Sequence, residues 1–183
     1  MVFSSSWIRE RCEREAMISP FVAVPVRKGV ISYGLGPFGY DIRLADTFLA
    51  PVEDAGVLDP RSIDSGDFVE RQADPIELLP GRFILGRSVE TFRIPRDVVG
   101  VCWGKSTYAR VGVLVNVTPL EPEWTGVLTL SIANTGSRCV RLYPHQGIAQ
   151  VLFLAGSEPP LFSYRDLAGK YDGQVGATPA RIE

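Results

Sequence analysis

The sequence has 183 residues, with 19 basic side chains against 21 acidic ones and a formal charge of −2, which suits one ordinary domain over 1–183 and disfavours a second. No basic tract marks a nucleic-acid partner. The three widely spaced cysteines, Cys12, Cys102 and Cys139, give no disulfide framework, and neither a leader peptide nor a run of about 18 apolar residues is present, so a reducing, cytoplasmic protein away from membranes is expected.

Residues 4–16 open with Ser4, Ser5 and Ser6, whose hydroxyls suit an N-cap, and then align Trp7, Ile8, Cys12 and Ala16 on one helical face. A short helix is expected there, within an N-terminal segment covering 1–20. From Val22 onward, short Val, Ile, Leu and Phe runs alternate with Gly, Pro, Asp and Asn, the texture of a many-stranded β domain. Strands are expected at 39–44, 76–79, 82–88, 98–103, 111–117, 126–133 and 147–154. Alternation is clearest in the sixth of these, where Leu128, Leu130 and Ile132 share one face and Val127, Thr129, Ser131 and Ala133 the other. The first face belongs to a core; the second is free to meet a ligand or a neighbouring subunit.

The segment 118–125 is short enough to close a hairpin, and Pro119 and Pro122 stiffen it, so it can present backbone groups to a base. Beyond Leu154 the pattern gives way to Gly, Ser, Pro and isolated aromatics. A loosely ordered tail is one reading. The other is a segment over 165–183 that closes on a ligand, since Lys170, Tyr171 and Gln174 combine a cation, a ring and an amide among glycines.

Several chemistries drop out. The only histidine, His145, sits in a turn-like Tyr-Pro-His-Gln-Gly stretch and reads as a turn residue; the His-x-Glu and Pro-Cys-x-x-Cys pattern of a zinc deaminase is missing, as are a Gly-x-Ser-x-Gly elbow and a Rossmann or Walker loop. What stands out is Gly104-Lys105-Ser106-Thr107-Tyr108-Ala109-Arg110, which packs a glycine, hydroxyls and cations into one turn after an apolar strand and can offer phosphate oxygens several donors at once.

That segment has company. The order Gly39-Tyr40-Asp41, Gly104 to Arg110, Val115-Asn116-Val117-Thr118-Pro119, Glu121 to Gly126, then Gly147-Ile148-Ala149-Gln150 resembles the motif succession of the dCTP deaminase and dUTPase superfamily. The likeness to dCTP deaminases runs from Trp7-Ile8 to the tail at 170–176. It implies a mainly β fold, a distorted β-barrel or jelly-roll of the dUTPase type with a short N-terminal helix, assembled as a homotrimer with sites between subunits. It also implies a pyrimidine deoxynucleoside triphosphate as partner. Lys105, Ser106, Thr107, Arg110 and Gln150 would hold phosphates. Val115, Asn116, Val117, Thr118 and Pro119 would read the base through main-chain groups, and Lys170, Tyr171 and Gln174 would close over the phosphates. Magnesium would accompany the triphosphate, with Asp41 either helping to hold it through water or capping a turn.

One position departs. Deaminases of this family carry a glutamate ten residues beyond the hairpin acid; Glu121 matches that acid, but the glutamate position is Ser131. Deamination at C4 needs a proton carrier near neutral pH, which an unassisted serine does not provide. The expectation is therefore a dUTP diphosphatase, forming dUMP and pyrophosphate, with Glu121 orienting water. The alternatives are a dCTP deaminase that draws on another carboxylate such as Glu123, and a nucleotide-binding regulator without catalysis.

Overall fold

Short runs of β-branched and aromatic residues form most of the regular structure in the computed structural model, which describes residues 1–53, 56–64 and 66–182. The tail expected over 165–183 is thus described as far as Ile182, and Glu183 lies outside the described residues. In chain order the elements are α1 (Ser5–Glu15), β1 (Ile18–Ser19), β2 (Gly34–Leu35), β3 (Tyr40–Pro51), β4 (Phe68–Gln72), β5 (Ile76–Leu78), β6 (Phe83–Arg93), β7 (Val98–Gly104), α2 (Ser106–Ala109), β8 (Val113–Asn116), β9 (Thr125–Asn134), β10 (Val140–Leu142) and β11 (Gly147–Ala155). Every expected strand is present, most with longer bounds.

The main sheet runs β7-β11-β3-β6-β9-β8, with β1, β2 and β4 attached to its flanks, and β5 pairs with β10 apart from it. Its two end strands approach each other. Gly100 of β7 and Leu120, just beyond β8, exchange hydrogen bonds of 2.9 and 2.8 Å, which brings the sheet close to closing as a barrel. All the pairings recorded between the named strands are antiparallel. The fold is mainly β, a distorted barrel with one short N-terminal helix, as the resemblance implied. No helix among the described residues is long and apolar enough to cross a membrane.

The core lies where the alternating faces meet. On β9, Leu128, Leu130 and Ile132 point inward and are buried, while Thr129, Ser131 and Ala133 are half-buried on the other face. Each inward aliphatic side chain contributes about 1.5–3 kcal/mol by leaving water. Helix α1 is held in the same way, through buried Ile8 and Cys12, and Trp7 stacks on Phe3 at 3.7 Å. Ser4 occupies its N-cap position, but the hydroxyl makes no capping bond; the Ser5 N–H donates instead to Pro37 O at 2.9 Å. Packing rather than capping anchors the helix, and Ala16, expected on its apolar face, ends it in the left-handed region at φ 52°.

A buried ion pair ties β3 to β6. The Arg43 main-chain N–H and Nε donate to the two oxygens of Glu90 at 2.9 and 2.7 Å, and Glu90 is fully buried. His145 sits in a turn at φ 61° with its N–H on Leu44 O, as a turn residue should.

The tail packs against β9 and the hairpin before it. The Gly173 N–H donates to Thr125 O, Gln174 O accepts from the Val127 N–H, and the Thr178 N–H reaches the Thr129 hydroxyl. Gly126 makes this approach feasible. It stands at φ 141°, and a Cβ there would lie 2.9 Å from Gln174 O, so a side chain would meet both strain and collision.

Candidate active site

Strand β8 ends at Asn116, whose register partner on β9 is Ser131, and Ser131 faces Leu85 of β6 on its other side. Past that last pair the chain leaves the sheet as Val117, Thr118 and Pro119. The gap between this departing segment, the outer face of β9 and the tail is a cavity of about 460 Å³, within the range of small-ligand sites. Asn116, Val117, Thr118, Pro119, Glu121, Ser131, Lys170, Tyr171 and Gln174 all line it. The structure thus brings together most of the base-reading segment, the two residues expected at the chemistry and the tail triad. Val115 is the exception: it points inward, buried opposite Ile132, so its side chain is turned away from the cavity.

The other predicted phosphate ligands gather elsewhere. After β7 the chain turns through α2, whose Tyr108 is buried and accepts the Tyr143 N–H at 2.9 Å, anchoring the turn. Ser106, Thr107 and Arg110 are left exposed, with the Arg110 guanidinium on Ser106 O at 3.1 Å. Lys105 pairs with Asp41, and Asp41 lies directly opposite Gln150 in the β3–β11 register. Asp41, Lys105 and Gln150 therefore form one cluster beside α2, and none of them lines the cavity of Ser131.

Two lining residues of note were not anticipated from the sequence. Tyr164 docks on the hairpin through its N–H to Pro122 O at 2.9 Å, and its hydroxyl accepts the Tyr171 N–H at 3.0 Å. Trp124 donates its indole N–H to Tyr171 O at 2.8 Å. Asp172 accepts from both the N–H and the hydroxyl of Thr125 at 2.9 Å. Tyr164 was one of the isolated aromatics of the tail, and a ring in a Gly- and Pro-rich stretch was the only signal available.

Among the described residues Glu121 is the one carboxylate that lines this cavity, and Lys170 its one cation. Glu123, the other hairpin acid, lines a different groove with its side chain on Arg96 at 2.6 Å. The Ser163 hydroxyl and then the Arg96 guanidinium hold its carboxyl below the ordinary value. Chemically, the cavity offers main-chain groups free of sheet pairing, a hydroxyl at Ser131 and one carboxylate able to carry a proton. No group of three or more His, Cys, Asp or Glu side chains that could hold a metal occurs among the described residues. The Asp41 carboxylate is engaged by Lys105. The side chains present thus do not fit a protein-built magnesium site.

Residues 2–156 match the family model described as dCTP deaminase-like. A dCTP deaminase of Roseiflexus castenholzii is 51% identical over 180 residues, covering 98% of each chain. One from Acidiphilium cryptum is 50% identical over 182 residues, covering 99% of each. Among solved structures, the 2'-deoxycytidine 5'-triphosphate deaminase of Agrobacterium tumefaciens is similar in fold, with a TM-score of 0.64 at 16% identity over 85% of this chain and 48% of that one. These relatives overturn the expectation of a dUTP diphosphatase. That expectation rested on one side chain, Ser131, whereas the relatives named dCTP deaminase agree with the chain along almost its whole length.

Proposed function

The chain belongs to the dCTP deaminase-like family, and on that premise we propose that it is a dCTP deaminase, converting dCTP and water to dUTP and ammonia. The observation that carries this reading is the identity of about half over nearly the full length of curated dCTP deaminases. In this reading the cytosine ring stands against the main chain of residues 116–119, beyond the last β8–β9 pair. Water attacks C4, Glu121 takes its proton and returns one to the departing amine, and Ser131 supplies a hydrogen bond beside the reacting carbon. Glu121 has this role because no other carboxylate lines the cavity among the described residues, and proton transfer of this kind contributes roughly 10²–10⁴ in rate.

The triphosphate calls for more than one subunit. Ser106, Thr107, Arg110 and Gln150 lie off the base cavity of their own chain, which supports a homotrimer in which a neighbour brings this cluster to the phosphates. Lys170, Tyr171 and Gln174 complete the enclosure from the tail. Magnesium enters as counter-ion of the triphosphate, coordinated by phosphate oxygens and water, as is usual for this ion.

Ser131 favours one second reading, a protein that binds the nucleotide without turning it over. Incubation with dCTP separates the two. Ammonia release that disappears in Glu121→Gln supports the deaminase; dCTP bound in the same cavity with no ammonia overturns it in favour of the binding protein.

A further inference from the structure

Adjoining the base cavity at Gln174 is an open groove of about 660 Å³. Four arginines from two stretches of chain line it: Arg87 and Arg93 on the outer face of β6 with Arg96 just after it, and Arg165 from the tail. Glu123 is the only carboxylate in the lining among the described residues. It is engaged by Arg96 at 2.6 Å, and Arg96 also holds Asp166 at 2.9 Å. Arg165 reaches only the main-chain carbonyl of Glu123, at 3.5 Å. Arg87 is half-buried, with neutral partners only, the Thr47 hydroxyl at 3.1 Å and Ser88 O at 3.4 Å. The nearby acid that feels its charge, Asp46, is itself bonded to the Gln72 amide. Arg93 makes no side-chain hydrogen bond or ion pair among the described residues.

A chain of net charge −2 thus concentrates cations in one concavity, and among the described residues only Arg96 of the four makes an ion pair. Like charges gathered in one groove repel unless a counter-charge joins them, and planar guanidinium forks match phosphate oxygens in pairs. Gln174 lines both this groove and the base cavity, and its backbone pairs with Val127 through the close approach at Gly126.

We propose that this groove is a second anion site, separate from the α2 cluster, that takes a polyphosphate chain, free or carried by a nucleoside, and steadies the tail at Gln174 when filled. The proposal does not depend on the deaminase reading, because the site is defined by binding alone.

The test is calorimetric titration of the full-length assembly with inorganic tripolyphosphate. Arg110→Ala should retain a binding event that the double variant Arg87→Ser/Arg93→Ser weakens by about tenfold or more, since each charge-assisted contact is worth at least that factor. Arg93→Glu, at an exposed position that leaves the core intact, should weaken it as well. Titration of the Arg110→Ala protein with dGTP tells the two sources apart: equal affinity assigns the phosphate chain alone, and tighter binding adds the nucleoside. Unchanged tripolyphosphate affinity in the arginine variants overturns the proposal. So does dissociation of the assembly with affinity unchanged, because the groove would then be seating a neighbour's carboxylates.

Discussion

At Ser131 the strand offers a small hydroxyl between Leu85 and Asn116, in the same cavity as Glu121. Ser131→Glu places a second carboxylate there, and two such groups close together cannot both ionise easily, so one keeps a proton at higher pH. Under the deaminase reading this variant should release ammonia from dCTP about 10²–10⁴ times faster than the parent chain. A rate no higher than the parent's would show that the cavity lacks deaminase geometry. The cysteines allow a second test at the same scale. Burial pushes the thiols of Cys12 and Cys102 up to about 12, while Cys139 is exposed. Only the thiolate reacts readily. At pH 8 a maleimide should therefore label Cys139 in the folded protein and reach the other two only on unfolding, as peptide mass mapping would show. The hairpin, Ser131 and the tail triad were legible in the sequence because their residue types are distinctive. Tyr164 and Trp124 were not assigned to the site, since their roles arise from docking contacts that no local pattern encodes.

Elements carry two further expectations. Gly126→Ala puts a methyl group against Gln174 at a positive φ, so the tail should lift from β9 while the barrel core stays folded. Hydrogen exchange over residues 163–178 should rise and dCTP affinity fall by about tenfold or more; unchanged exchange would show that the tail docks without this glycine. The Glu90–Arg43 pair links stability to pH. Burial raises the Glu90 carboxyl above its usual value, opposed by the Arg43 main-chain N–H and then its side chain. With a raised folded value, the stability from this group is fully present below the unfolded pKa of about 4.3 and is lost as pH rises through the folded value. Arg43→Met removes an opposing cation, so its deficit against the parent chain should grow from pH 4 to pH 7, reaching about 3–5 kcal/mol. Urea midpoints at the two pH values measure it, and an equal deficit at both would refute the linkage. The long strands were readable because each keeps apolar alternation over many residues. Strand β4 was missed because almost all of it is exposed and nothing alternates. Strands β1, β2 and β10 were too short to set a period, and α2 is a single turn fixed by Tyr108 beneath it.

For the whole molecule the arrangement of the site is the main consequence. The base cavity and the α2 cluster sit apart on one chain, so two defective chains should repair each other if sites form between subunits. Mixing Arg110→Ala with Glu121→Gln subunits should restore part of the dCTP turnover that neither has alone, and light scattering of the parent chain should give a trimer. A monomer with full activity would refute the shared site. This division was implied by family resemblance and could not be reached from composition or periodicity, which describe a single chain. The near-closure of the sheet has a bearing on solubility. An open sheet ends in strands whose N–H and C=O groups recruit further chains. Here the two ends meet at Gly100 and Leu120, and Pro119 beside that contact has no N–H to offer a newcomer. Within the main sheet the end strands β7 and β8 are thereby drawn together, and loosening the contact at Leu120 would leave their outer N–H and C=O groups open to another chain.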